Sequence, residues 1–113
     1  MLQSFSYAFR GINDALKSEP NLRIHFLLSI MAVLLAIYLK FTPIEHAILV
    51  LTIFLVFILE FINTLIEKLS DIIHPEYSEK IRFVKDMSAA TVLLGAICSV
   101  VVGGLLFLPK LIQ

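Results

Sequence analysis

The chain has 113 residues, 59% of them hydrophobic and 16% charged, with a formal net charge of zero and a mean hydropathy of +0.96. Soluble domains average about 45–50% apolar and about 25% charged residues, and a domain this short cannot bury the excess. That excludes a disordered chain and a basic nucleic-acid module, and the lone Cys98 excludes an intrachain disulfide framework. A small all-α integral membrane protein remains.

Residues 2–18 form the first element. Leu2, Phe5, Phe9, Ile12 and Leu16 recur at steps of three and four, with Gln3, Arg10, Asn13, Asp14 and Lys17 mostly opposite. This pattern predicts an amphipathic helix lying in the membrane interface, ended by Pro20. It lacks the order of charge, apolar stretch and small-residue cleavage site that marks a signal peptide. Three apolar runs follow, over 24–41, 47–66 and 87–108. A bilayer core of about 30 Å takes about 20 helical residues to cross, so each run spans once. Arg10, Lys17 and Arg23 precede the first span and Lys68, Lys80, Arg82 and Lys85 lie between the second and third; Lys40 and Lys110 alone fall on the other side. The positive-inside rule places the N-terminus and the second loop in the cytoplasm, and the first loop and C-terminus outside. On the third span Thr91, Gly95, Ser99 and Gly103 repeat every fourth residue, the spacing of a helix-packing seam.

The second span carries the chemistry. Glu60, Asn63, Glu67 and Asp71 stand at offsets that bring the three carboxylates within about 20° of one direction, with Asn63 about 60° aside. Glu60 lies about 9 Å inside the cytoplasmic boundary, where an acid costs about 2.5–3.5 kcal/mol. Polar side chains at such positions sometimes only join neighbouring helices, which is the plain reading of Asn63 taken alone. Four on one face point instead to a site. Clustered carboxylates need a counter-ion, and hard Mg²⁺ takes carboxylate together with phosphate oxygen. Lys85-Asp86 begins the third span at the same membrane level, where a lysine binds phosphate as a point charge; read alone, the pair is a solvated helix start. His25, His46 and His74 lack metal-ligand spacing, and no Gly-rich phosphate loop is present.

The string Glu60-Phe61-Ile62-Asn63-Thr64-Leu65-Ile66-Glu67, then Asp71, then Lys85-Asp86-Met87-Ser88-Ala89-Ala90, resembles the small integral-membrane prokaryotic diacylglycerol kinases and undecaprenol kinases. The likeness extends upstream to Gly11, Glu19 and Arg23 and covers nearly the whole chain. It implies a lipid kinase that moves the γ-phosphoryl group of MgATP to the hydroxyl of undecaprenol or diacylglycerol. Glu60 would be the general base and Asn63 its support, also assisting the transferring phosphoryl group. Glu19 and Glu67 would hold Mg²⁺. Tyr7, Glu76, Tyr77, Ser78, Lys85 and Asp86 would contact the nucleotide, while Asp71 matches the motif without an assigned role. Arg23-Ile24-His25 and Asn63-Thr64 look more like the undecaprenol kinases. Leu65 departs from the small residue usual after Asn-Thr, and Ile81-Arg82-Phe83-Val84 is more apolar than the family pattern.

The resemblance also implies a homotrimer with sites shared between neighbours. A physical expectation points the same way, since three spans alone should leave Glu60 facing hydrocarbon. Two rival readings are a small proton-coupled transporter using Glu60 and a non-catalytic membrane subunit whose polar stripe binds a partner helix.

Overall fold

The computed structural model describes residues 1–113. It contains four helices: α1 over Leu2–Ser18, α2 over Pro20–Tyr38, α3 over Pro43–Ile73 and α4 over Glu79–Leu111. The last three are long and apolar enough to cross a membrane. At about 1.5 Å per residue, the 19 residues of α2 reach about 28 Å, and the 31 of α3 and 33 of α4 reach about 46 and 50 Å. Both α3 and α4 therefore outrun the apolar runs counted in the sequence. They extend toward the 74–78 loop, the end where the acids lie.

Proline opens two of these helices. Pro20 and Pro43 occupy the first turns of α2 and α3, where a missing amide hydrogen costs nothing. Glu19 is the extended residue between α1 and α2, and Arg23 reaches back to donate to the carbonyls of Leu16 (3.2 Å) and Lys17 (3.0 Å). That contact satisfies carbonyls in the last turn of α1 and fixes the joint carrying Glu19.

The first apolar run continues to Phe41, but α2 stops at Tyr38. Lys40 adopts φ +60°, Lys40 N donates to Ile37 O (3.1 Å) and Phe41 N to Ala36 O (3.0 Å). This is a Schellman turn closed by a lysine where glycine is usual. It folds Phe41 back into a buried cluster with Ala36, Leu49 and Leu106, its ring 4.8 Å from that of Phe107. A Thr42–Glu45 capping box starts α3, and Lys110 pairs with Glu45 at 3.3 Å. The end of the bundle away from the 74–78 loop is thus its tied end.

Along the bundle the dominant interface joins α3 and α4, and α1 packs on α2. Of the expected seam, Gly95 is buried against α3: a Cβ there would stand 2.7 Å from Leu59 Cδ1. Thr91 and Ser99 return their hydroxyls to their own helix, at Ser88 O (2.6 Å) and Ala96 O (2.8 Å). A Cβ on Gly103 would meet nothing within 4 Å. The repeat is therefore a packing contact at one position rather than along its length. Gly95→Leu should destabilise the bundle by about 1–3 kcal/mol through overpacking. Gly103→Ala should be neutral or stabilising by about 0.5–1 kcal/mol through helix propensity. Thermal unfolding in detergent measures both, and equal midpoints for the two variants would contradict the packing described.

Candidate active site

The predicted carboxylate face exists as drawn, since α3 is continuous from Pro43 to Ile73. Its members meet different surroundings. Glu60 is buried, with 8% of its surface exposed, and its Oε1 lies 2.9 Å from His25 Nδ1 on α2. Its Oε2 is buried with no hydrogen-bond partner. One chain therefore encloses Glu60, contrary to the expectation that a single copy leaves it facing hydrocarbon. The physical reason is His25, which fills the gap between α2 and α3 with a polar group.

One turn further along, Asn63 joins two elements. Its Oδ1 accepts from Ser88 Oγ on α4 (2.8 Å), and its Nδ2 points to Glu67 Oε1 at 3.4 Å. Ser88 is itself buried, so this contact ties α4 to α3 at the level of the site. Glu67 is exposed, with that long contact as its polar link within the chain.

Beyond Asn63, the two helices leave the apolar region and their charges pair. Lys85 binds Asp71 at 2.6 Å across α3 and α4, which gives Asp71 a definite partner. Arg82 contacts Glu79 at 3.0 Å and Asp86 at 2.6 Å. Tyr77 donates to Glu79, and this bond to a carboxylate holds the phenol above its ordinary pKa. Tyr77, Arg82, Lys85 and Asp86 of these groups line a polar recess of about 320 Å³, together with His74, Pro75, Glu76, Ser78 and Ile81. Five predicted site residues, Glu76, Tyr77, Ser78, Lys85 and Asp86, thus share one wall-lined space.

Tyr7 and Glu19 are not brought to it. Tyr7 lies exposed on α1, with Arg10 5.5 Å above its ring, and no hydrogen bond or ion pair joins Tyr7 or Glu19 to α3 or α4. No group of three or more His, Cys, Asp or Glu side chains converges to hold a metal by itself.

On the other side of Glu60, deeper in the bundle, runs a mostly apolar groove of about 240 Å³. His25 and Ser29 stand at its head, Thr52, Phe57, Ser99 and Gly103 along its walls, and Leu49 and Phe107 toward the tied end. Sequence reasoning missed His25, Ser88 and Arg82. His25 was legible as a polar residue inside an apolar run and within the Arg23-Ile24-His25 likeness, and Ser88 within the Lys85–Ala90 string, neither with a role at the site.

Fold and site together define a three-span helical membrane protein with a buried carboxylate beside His25 at the head of an apolar groove, and a charged recess at the 74–78 end of the α3–α4 pair. The chain belongs to the prokaryotic diacylglycerol kinase family, whose model matches residues 6–107. It is 40% identical over 114 residues to a diacylglycerol kinase of Synechocystis sp., covering all of this chain and 65% of that protein. It is 33% identical over 109 residues to the undecaprenol kinase of Bacillus subtilis, covering 96% of this chain and 89% of that protein. A diacylglycerol kinase of Escherichia coli K12 is 31% identical over 101 residues, 89% of this chain and 83% of that protein.

The Asn63–Ser88 bond yields a test of the site's architecture. Ser88→Ala leaves a part-buried amide oxygen without its donor and should cost about 1–3 kcal/mol of stability. Ser88→Thr should retain most of it. Thermal unfolding separates the two, and an Ala variant as stable as the parent would show that Asn63 finds another partner.

Proposed function

We propose that this protein is a lipid kinase transferring the γ-phosphoryl group of ATP to the hydroxyl of a membrane lipid alcohol. The observation that carries the reading is Glu60 itself, buried with one oxygen unpartnered and the other against His25 at the head of the groove. Phosphoryl transfer asks for positioning and charge neutralisation more than covalent participation. A hydrocarbon tail lying in the groove brings its head hydroxyl to the level of Glu60. The water-soluble donor approaches from the recess, where Arg82 and Lys85 offer cations and Tyr77 and Ser78 offer hydroxyls. Glu60 then accepts the hydroxyl proton, and Asn63, held by Ser88, supports it one turn above.

The oxygen donors fit Mg²⁺. Glu67 is an exposed carboxylate with one long polar contact, and Glu19 sits on a fixed joint between two helices. Two carboxylates with waters and phosphate oxygens, rather than a complete protein cage, are what this ion usually accepts. When bound, it neutralises charge on the phosphates. The existing ion pairs of Lys85 and Asp86 are largely exposed and worth about 0–1 kcal/mol each, so an arriving phosphate can displace them.

Undecaprenol is the favoured acceptor on the Arg23-Ile24-His25 likeness, and diacylglycerol the competitor, with relatives named for each. The α1 helix is read as interfacial, with Leu2, Phe5 and Phe9 exposed for the lipid surface. The N-terminus and the 74–78 loop face the cytoplasm, and the C-terminus faces outward. Tyr7 and Glu19, detached from α3 and α4 in one chain, support a homotrimer in which α1 completes a neighbour's site. A proton-coupled transporter would leave the recess without a purpose, and a non-catalytic subunit would leave Glu60 without one.

Purified protein in phosphatidylglycerol vesicles should consume ATP only when undecaprenol or dioleoylglycerol is present. Glu60→Gln should lower kcat by about 10²–10⁴-fold while sparing the KM for MgATP. Glu67→Gln should instead raise the KM for MgATP. Turnover near the parent's in Glu60→Gln would remove Glu60 as the base.

The groove makes its own prediction. Gly103 lines it, and a Cβ there would meet nothing within 4 Å. Gly103→Leu should fold normally yet raise the KM for the lipid alcohol about tenfold, since excluding about two methylene groups costs about 1.6 kcal/mol. An unchanged lipid KM would place the tail elsewhere.

A further inference from the structure

The two oxygens of Glu60 differ in their surroundings. His25 Nδ1 stands 2.9 Å from Oε1, and Oε2, equally enclosed, has no partner. A contact of that length between a nitrogen and an oxygen requires a proton between them. His25 is placed to supply it, because Nδ1–H donates while the opposite ring nitrogen stays free. The ring is itself about one-third exposed, at 32% of its side-chain surface, and lines the head of the groove. Its backbone carbonyl accepts from Ser29 Oγ at 2.7 Å. The histidine thus touches the carboxylate with one edge and borders the tail's path with the rest.

We propose that His25 is a positioning residue for Glu60. It donates its Nδ1 proton to Oε1, fixes the carboxylate plane, and leaves Oε2 as the oxygen that takes the proton of the lipid hydroxyl. The inference rests on the lipid-kinase reading. In the step, the alcohol O–H bond breaks and its proton passes to Oε2. The alcohol oxygen bonds to the γ-phosphorus, and the bond from that phosphorus to the β–γ bridging oxygen breaks, releasing ADP. Oε2 later returns its proton to water, and His25 keeps its own throughout. The plainer reading makes the pair a tie between α2 and α3. A tie affects stability and leaves kcat alone.

Two variants separate these readings, measured in phosphatidylglycerol vesicles with dioleoylglycerol or undecaprenol. His25→Leu keeps bulk and removes the donor; His25→Asn restores an amide N–H near the Nδ1 position. His25→Leu should lower kcat about 10–100-fold, part of the roughly 10²–10⁴-fold a positioned base supplies, with the KM for MgATP unchanged. His25→Asn should recover most of that loss, and His25→Leu should add nothing in a Glu60→Gln background. Parental kcat in His25→Leu, or losses that multiply with Glu60→Gln, would overturn the proposal. A second readout needs no turnover. In ¹⁵N-histidine-labelled protein, the ring resonances lost in His25→Leu identify His25, and Glu60→Gln should shift them. Unmoved resonances would also overturn it. Parent protein inactive on both alcohols would sink the kinase reading, while the resonances still decide whether the pair exists.

Discussion

A carboxylate on a membrane-spanning helix must be screened, and the way this chain screens Glu60 organises the bundle. Lipid offers no hydrogen bonds, and a bare acid at the centre of a span costs about 2.5–3.5 kcal/mol. The main helix interface, between α3 and α4, is closed at this level by Gly95 against Leu59 and by Ser88 on Asn63. Glu60 is screened from the other side, by His25 of α2. The pair therefore sets the rotation of α2 against α3. Glu60 and the head of the groove owe their alignment to the same contact, because His25 belongs to both.

Polarity is graded along the α3–α4 pair. At the end away from the 74–78 loop, an apolar cluster, a capping box and a Lys110–Glu45 pair hold the helices together. The groove occupies the middle, Glu60 and Asn63 stand beyond it, and Arg82, Lys85 and Asp86 of the recess each pair with an opposite charge. Such a gradient suits two reactants that never share a solvent. On the proposed reading, a lipid alcohol would keep its tail in hydrocarbon and a nucleotide would stay in water, with the one buried acid between the polar and apolar parts of the bundle. Exposed ion pairs such as those in the recess contribute little to stability, which leaves them free to exchange partners.

The sequence made some of this legible and not the rest, for identifiable reasons. Spans declare themselves by hydropathy, and the face of Glu60, Glu67 and Asp71 by the helical repeat, because both depend on neighbours along the chain. The helix bounds were less legible. Hydropathy counts lipid, whereas α3 and α4 continue as hydrogen-bonded helix beyond it. The end of α2 was hidden because Lys40, rather than glycine, takes the left-handed turn. Arg23 as a cap and His25 as a partner of Glu60 depend on how separate helices are set against each other. No spacing within one helix encodes that. The four-residue seam misled in the opposite direction: its regularity suggested one continuous surface, yet only Gly95 is pressed against a neighbour and Gly103 opens on the groove.

The enclosure of Glu60 within one chain changes where the case for assembly must rest. Shielding of that acid no longer requires a second copy, since α2 provides it. What a single chain leaves apart is α1. Tyr7 is exposed and Glu19 is locked at a joint by Arg23, while neither is bonded to the recess or to Glu67. Swinging Glu19 toward its own α3 would break the Arg23 contacts on Leu16 and Lys17. Bringing a second copy alongside costs no such bond. In the proposed homotrimer, closed symmetry would repeat the arrangement at every site, with each α1 serving the neighbour it faces. On that proposal a second copy would complete the surroundings of Tyr7 and Glu19, and would not be needed to conceal Glu60.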